Sequence, residues 1–145
     1  MAVRFQNPAD ERIREILGTP RSIAVVGCSA EPTRDSHRIA QLLQDRGHLV
    51  FPVNPRGGVI LERPVATSLQ SIHEPIEMID VFRRPDAVAQ IVDEALAIGS
   101  TILWLQLGVV DKASAERATE GGMTVVMDRC PSIEYRRLFQ NEVRS

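Results

Sequence analysis

The residues best suited to chemistry in this chain stand where its short apolar runs break off. Residues 25–36 read VVGCSAEPTRDS, an apolar run that stops at Gly27 and passes into Cys28, Ser29, Ala30, Pro32, Arg34 and Ser36. Glycine permits a tight turn or a close backbone approach, and polar residues ahead of a helix start suit an anion. Later breaks carry Asn54, Pro55 and Arg56, then Phe82, Arg83 and Arg84, then Gln106, Leu107 and Gly108, and finally Asp128, Arg129 and Cys130. Arginine brings a planar fork that grips phosphate in a bidentate manner. All but Lys112 of the 17 basic side chains are arginine, a bias that a GC-rich genome would also produce. Any one of these arginines could be a loop residue paired with Asp35, Asp86 or Asp128. The set is more telling than its members.

Acid–base and metal chemistry are less well served. His48 follows Gly47 in a turn and is expected at the surface; His73 lies in an irregular stretch. Only His37, at the head of a helix, could reach a ligand at these breaks, either by bonding a phosphate or by packing on the sheet. No spaced His/Cys/Asp set suggests a metal, and no G-x-S-x-G elbow is present. Cys28 and Cys130 are not arranged as a C-x-x-C pair. A helix N-terminus beside Cys28 could lower its pKa. The two thiols are either packing residues or, for Cys130 in particular, partners for a mixed disulfide with a ligand thiol.

The elements that must position these residues follow from periodicity. Apolar runs over 22–27, 49–53, 78–82, 101–108 and 124–127 predict strands, the first buried on both faces. Helical spacing predicts helices over 10–17, from Ser36 to before Gly47, from Pro85 to before Gly99, from the cap Asp111 to Glu120, and from Pro131 to about Leu138. Residues 59–76 predict a short extended piece and a helical turn near 68–72. Alternating strands and helices of these lengths mean βαβ crossovers. The fold class expected is α/β, a doubly wound, Rossmann-like, mostly parallel five-stranded sheet with helices on both faces. Ligands bind such sheets beyond the carboxyl ends of the strands, where every break named above falls.

Composition sets the bounds. With 145 residues, 43% hydrophobic and 25% charged, the chain reads as one domain over 1–145 with an N-terminal helical extension over 1–20. A net charge of −2 offers no general attraction for nucleic acid or a membrane surface. No apolar stretch approaches the ~18 residues of a membrane span, and MAVRFQNPADER lacks the apolar segment of a signal peptide, so a reducing cytoplasm with free thiols is expected.

The choice of anion narrows at the first two breaks. A dinucleotide site of the G-x-G-x-x-G type ends its second strand in an acidic residue. Here the loop is G-C-S-A-E-P and the second strand ends at Asn54, which disfavours NAD, and no P-loop is present. Arg56 in that position suits a ligand with an additional phosphate on its ribose, such as NADP or coenzyme A.

VVGCSAEPTRDSHRI, PVNPRGG, DVFRRP, WLQLGV and VMDRCPSIE occur in that order over about residues 22–139. Together they resemble the small single-domain CoA-binding proteins, relatives of the CoA-binding domain of the succinyl-CoA synthetase α subunit. The resemblance implies coenzyme A as ligand. The turn Gly27, Cys28, Ser29 and Ala30 would receive its pyrophosphate, with Pro32, Arg34 and Ser36 beside it. Arg56 falls where the synthetase carries a lysine that meets CoA, with Asn54 and Pro55 beside it as binding candidates; Phe82 and Arg83 match the segment after its third strand, and Gln106, Leu107 and Gly108 match a further CoA-contacting segment. Nothing here corresponds to the synthetase's phosphorylated histidine. The expectation is a module that binds CoA or an acyl-CoA without catalysis of its own, as a possible homo-oligomer or with a protein partner. Two alternatives stand beside it: an NADP-linked oxidoreductase fragment or redox sensor, and a non-catalytic subunit of a larger acyl-CoA enzyme.

Overall fold

The computed structural model describes residues 5–139; the first part of the expected extension, residues 1–4, lies outside them. Helix α1 (Asp10–Gly18) is followed by β1 (Ser22–Val26), α2 (Asp35–Asp45) and β2 (Leu49–Val53). A small hairpin, β3 (Val59–Ile60) and β4 (Arg63–Pro64), and a 3₁₀ turn at Leu69–Ser71 lead into β5 (Met78–Val81). A second 3₁₀ turn at Pro85–Ala87 opens α3 (Val88–Ala97), and then come β6 (Ile102–Leu105), α4 (Lys112–Glu120), β7 (Thr124–Met127) and α5 (Pro131–Phe139).

Five strands form one parallel sheet in the order β2-β1-β5-β6-β7. Each central strand is apolar at nearly every position because helices cover both faces. Ile23 and Val25 face α1, α2 and α5 together with Met78 and Trp104, while Ala24 and Val26 face α3 and α4 together with Ile79 and Leu103. Each large side chain fully buried in these layers contributes about 1.5–3 kcal/mol. The doubly wound α/β fold expected from the sequence is the fold found. Winding runs from β1 outward to β2, then returns to β5 on the other side of β1, so the crevice of such a sheet opens above β1 and β5.

Three local departures have physical causes. The fourth strand, expected over 101–108, stops at Leu105: Gly108 takes φ +82°, and its N–H donates to Asp128 Oδ1 at 2.8 Å, so the chain turns across the edge. The helix expected to open at Pro85 begins as a 3₁₀ turn and becomes α-helical at Val88. His48, expected at the surface, is buried. Arg21 N–H donates to its Nδ1, and its Nε2 lies 3.1 Å from Leu17 O and 3.0 Å from the Tyr135 hydroxyl. Helix α1 closes this region, since Ile13, Ile16 and Leu17 share the apolar layer with Tyr135 and Phe139 of α5. Burial lowers the His48 pKa below the ordinary histidine value.

Candidate functional site

The parallel arrangement brings the breaks after all five strands to one edge. Gly27 has φ +85°, and a Cβ there would stand 2.4 Å from Phe82 O and 3.1 Å from Arg83 Cδ. This glycine is therefore required by the chain leaving β5, which passes directly over the β1 turn; Phe82 N–H in turn donates to Val26 O at 2.8 Å. The N–H groups of Gly27 and Cys28 both donate to Val53 O, at 3.0 and 3.2 Å. They tie the turn to β2, so these two N–H groups are not the free donors that an anion-binding turn needs.

The rest of the loop is braced by its own polar residues. Ser29 N–H donates to Ser36 Oγ at 2.9 Å, Glu31 N–H donates to Ser29 Oγ at 3.0 Å, and His37 Nδ1 lies 3.0 Å from Ser29 O. His37 thus takes a loop-bracing position. Ala30, Pro32 and Arg34 are exposed on this loop, which leads into the first turn of α2. Asn54 joins the first two breaks: its Nδ2 donates to Cys28 O at 2.8 Å and its Oδ1 accepts from Arg56 N–H at 2.9 Å. An aspartate could supply the second bond and not the first, which accounts for an amide where dinucleotide sites carry an acid. Pro55 and Arg56 stand exposed beyond it.

Cys28 is fully buried in the apolar layer. Burial, with the nearby Asp80 carboxyl, pushes its pKa up to about 11, the reverse of the activation expected from a helix N-terminus. Cys130 is half-buried in a cavity wall.

Two cavities flank the crossing of Gly27 and Phe82. The larger, about 750 Å³, has apolar walls that include Ile39, Leu42, Phe82, Leu107 and Ile133, with Gln106, Gly108 and Cys130 among them. The smaller, about 170 Å³, lies between Gly27, Pro55, Thr67, Ser68 and helix α3. Arg83 lines both. The arginines divide sharply. Arg21, Arg117 and Arg137 hold carboxylates away from the carboxyl edge, Arg38 pairs with Asp35, and Arg84 lies 3.9 Å from Asp86. The side chains of Arg34, Arg56, Arg83 and Arg136 make no hydrogen bond or ion pair with any described residue. Arg83 and Arg136 line the large cavity, Arg34 precedes α2, and Arg56 follows β2. Guanidinium groups held at one edge without internal partners suit a polyanion.

Residues 21–136 match the family model of the CoA binding domain. The chain belongs to the CoA binding domain family. This CoA binding domain is 36% identical to the Bacillus subtilis protein YneT, over 90% of this chain and 97% of that one. Its structure resembles that of Prb, a protein redesigned for binding, with TM-score 0.90 and 33% identity over 97% of this chain and 99% of that chain. The fold also recurs in the dinucleotide-forming acetyl-coenzyme A synthetase 1 of Ca. Korarchaeum cryptofilum, with TM-score 0.68 and 20% identity over 79% of this chain and 28% of that one.

Sequence reasoning missed Asp80, Thr67, Ser68 and Arg136. Asp80 lies inside the apolar run MIDVF and is fully buried, with burial pushing its pKa up to about 7. Arg136 stands beyond the last break, and no signal near it marks it as part of the edge. Among the described residues no group of three or more His, Cys, Asp or Glu side chains is placed to hold a metal ion, and no helix is long and apolar enough to cross a membrane.

Proposed function

We propose that this CoA binding domain binds coenzyme A or an acyl-CoA at the carboxyl edge of its sheet, without catalysis of its own. The observation that carries the reading is the placement at that edge of four arginines without partners among the described residues: Arg83 and Arg136 in the cavity walls, Arg34 on the loop before α2 and Arg56 on the loop after β2. Coenzyme A carries a pyrophosphate, a ribose phosphate, a purine and a long amide-bearing arm. In this reading Arg34 and Arg83 hold the pyrophosphate, together with Ala30 and the first turn of α2, since the Gly27 and Cys28 N–H groups are already committed. Arg56 holds the ribose phosphate. The small cavity beside Pro55, Thr67 and Ser68 takes the purine, and the large apolar one takes the arm. Cys28, Ser29, Pro32, Ser36 and Asn54 act by shaping the loop, while Phe82, Gln106, Leu107 and Gly108 border the arm. The free thiols of Cys28 and Cys130 fit a reducing, cytoplasmic setting.

Calorimetric titration of the ligand-stripped chain with CoA, dephospho-CoA, NADP and NAD, at one ionic strength, tests this. CoA is expected to saturate a site and dephospho-CoA to bind about tenfold or more weakly, since a charge-assisted contact contributes ~1.5–3 kcal/mol. Binding of NADP in place of CoA would overturn the assignment and leave a redox role in its stead.

A further inference from the structure

Asp80 is the anomaly of the sheet. It sits on β5, the middle strand, with Val25 of β1 opposite on one side and Trp104 of β6 on the other, and it is fully buried. Its Oδ1 accepts from Gln106 Nε2. Its Oδ2 is the one fully buried side-chain oxygen or nitrogen without a hydrogen-bond partner among the described residues. An ionised carboxylate with an orphaned oxygen is costly in such surroundings, and burial accordingly pushes the pKa up to about 7. Both protonation states are therefore accessible near neutral pH.

The surroundings leave few groups to answer that change. Cys28, on the loop after β1, feels the Asp80 charge but keeps its proton, and Val25 and Trp104 carry none. On this face, His48 in the turn before β2 and Tyr135 on α5 are bonded to each other and to Leu17 O, and Glu134 on α5 is held by Arg137. Asp35, Arg38 and Arg136 line the cavity from α2 and α5 at exposed positions, as do Arg83 and Arg84 on the loop after β5. Gln106 is the group in contact.

Gln106 is 95% buried (5% exposed) yet lines the large cavity, and its Oε1 makes no hydrogen bond to any described residue. Its amide has two unlike ends. With Asp80 ionised, the NH₂ end turns to the carboxylate and the carbonyl is left for the cavity. With Asp80 protonated, its hydroxyl can donate to the amide oxygen, and a half-turn of the amide leaves the NH₂ end for the cavity.

We infer that Asp80 is a positioning residue that sets, through Gln106, whether the site prefers the free thiol of CoA or a thioester. A thiol S–H donates and is matched by the Gln106 carbonyl; a thioester carbonyl accepts and is matched by the Gln106 NH₂. Acid therefore favours acyl-CoA and alkali favours CoA. The inference rests on the proposed reading that the large cavity receives the sulfur end of CoA.

The experiment is titration of the full chain with CoA and with acetyl-CoA at about pH 6 and about pH 8, at one ionic strength. The phosphates are common to both ligands, so their titration cancels in the ratio of the two dissociation constants. That ratio is expected to move toward acetyl-CoA by about threefold to tenfold at the lower pH, and to become independent of pH in Asp80→Asn and in Gln106→Leu. A constant ratio in the unaltered chain, or a dependence that survives Asp80→Asn, overturns the inference while CoA binding stands. Failure of both ligands to bind at either pH overturns the proposed function and this inference with it. Carbon-13 NMR of the unliganded, unaltered chain gives a readout independent of any variant's folding. One aspartate carboxyl must titrate near neutrality and the Gln106 side-chain amide must shift with the same midpoint. A carboxyl that titrates with the surface aspartates overturns the inference.

Discussion

Gly27 and Phe82 meet backbone to backbone at the topological switch of the sheet: a Cβ on Gly27 would stand 2.4 Å from Phe82 O, and φ at Gly27 is +85°. The loop after β1 and the loop after β5 are consequently one structural unit, and what disturbs one disturbs both. Gly27→Ala is expected to cost about 1–3 kcal/mol in backbone strain, plus the displacement of the Phe82 carbonyl. Urea unfolding would read the loss. A variant as stable as the parent would show that the two loops are not in contact in solution.

The four arginines without partners among the described residues separate binding from stability. Arg56→Ala and Arg83→Ala should each weaken CoA binding by about tenfold or more and leave the unfolding midpoint unchanged, because neither side chain bonds to any described residue. Arg137→Ala should do the opposite. That side chain bridges Asp10 and the buried Glu134, so its loss lowers the midpoint and spares affinity. Paired calorimetry and thermal unfolding on the three variants would check the division.

Thiol reactivity should follow burial. Cys28, fully buried and with its pKa raised to about 11, is expected to resist alkylation at neutral pH until the chain unfolds. Cys130, in the cavity wall, should react in the folded state and be shielded by saturating CoA. Mass spectrometry after timed iodoacetamide treatment, with and without ligand, gives both results. Rapid native labelling of Cys28 would mean that the first loop opens.

The pH dependence of stability has opposed contributions. Asp80 keeps its proton up to about pH 7 when folded, whereas an ordinary aspartate releases it near 3.8. Raising pH through that window therefore removes stability, at up to about 1.4 kcal/mol per pH unit. His48, with its pKa lowered, acts the other way: below about 6.5 the unfolded chain takes up a proton that the folded chain resists, and acid removes stability. Asp80→Asn cancels the first effect and keeps the second. The stability difference between variant and parent should shift in the variant's favour from about pH 5 to about pH 7 and stay level above about pH 8. A difference that does not vary with pH would show Asp80 to ionise as a surface carboxylate does.

What the amino-acid sequence determined by itself is the alternation of strands and helices and the edge on which the polar breaks collect. Strands buried on both faces must be apolar almost throughout, and the turn that ends each one must be polar or carry glycine, so both signals are local and legible. Gly27, Asn54 and Arg56 could be marked as a group for that reason. Tertiary structure decided the rest. Asp80 reads as a flaw in an apolar strand until the order β2-β1-β5-β6-β7 places β5 in the middle and the loop after β6 brings Gln106 to it. His48 became an interior residue only when α1 and α5 closed over the turn before β2. Arg136 joined the edge because α5 packs against α2, across a separation in the chain that no local pattern spans. Burial and hydrogen-bond partnership belong to neighbours distant in sequence, and these set which arginines pair with a carboxylate and which carboxyl keeps its proton.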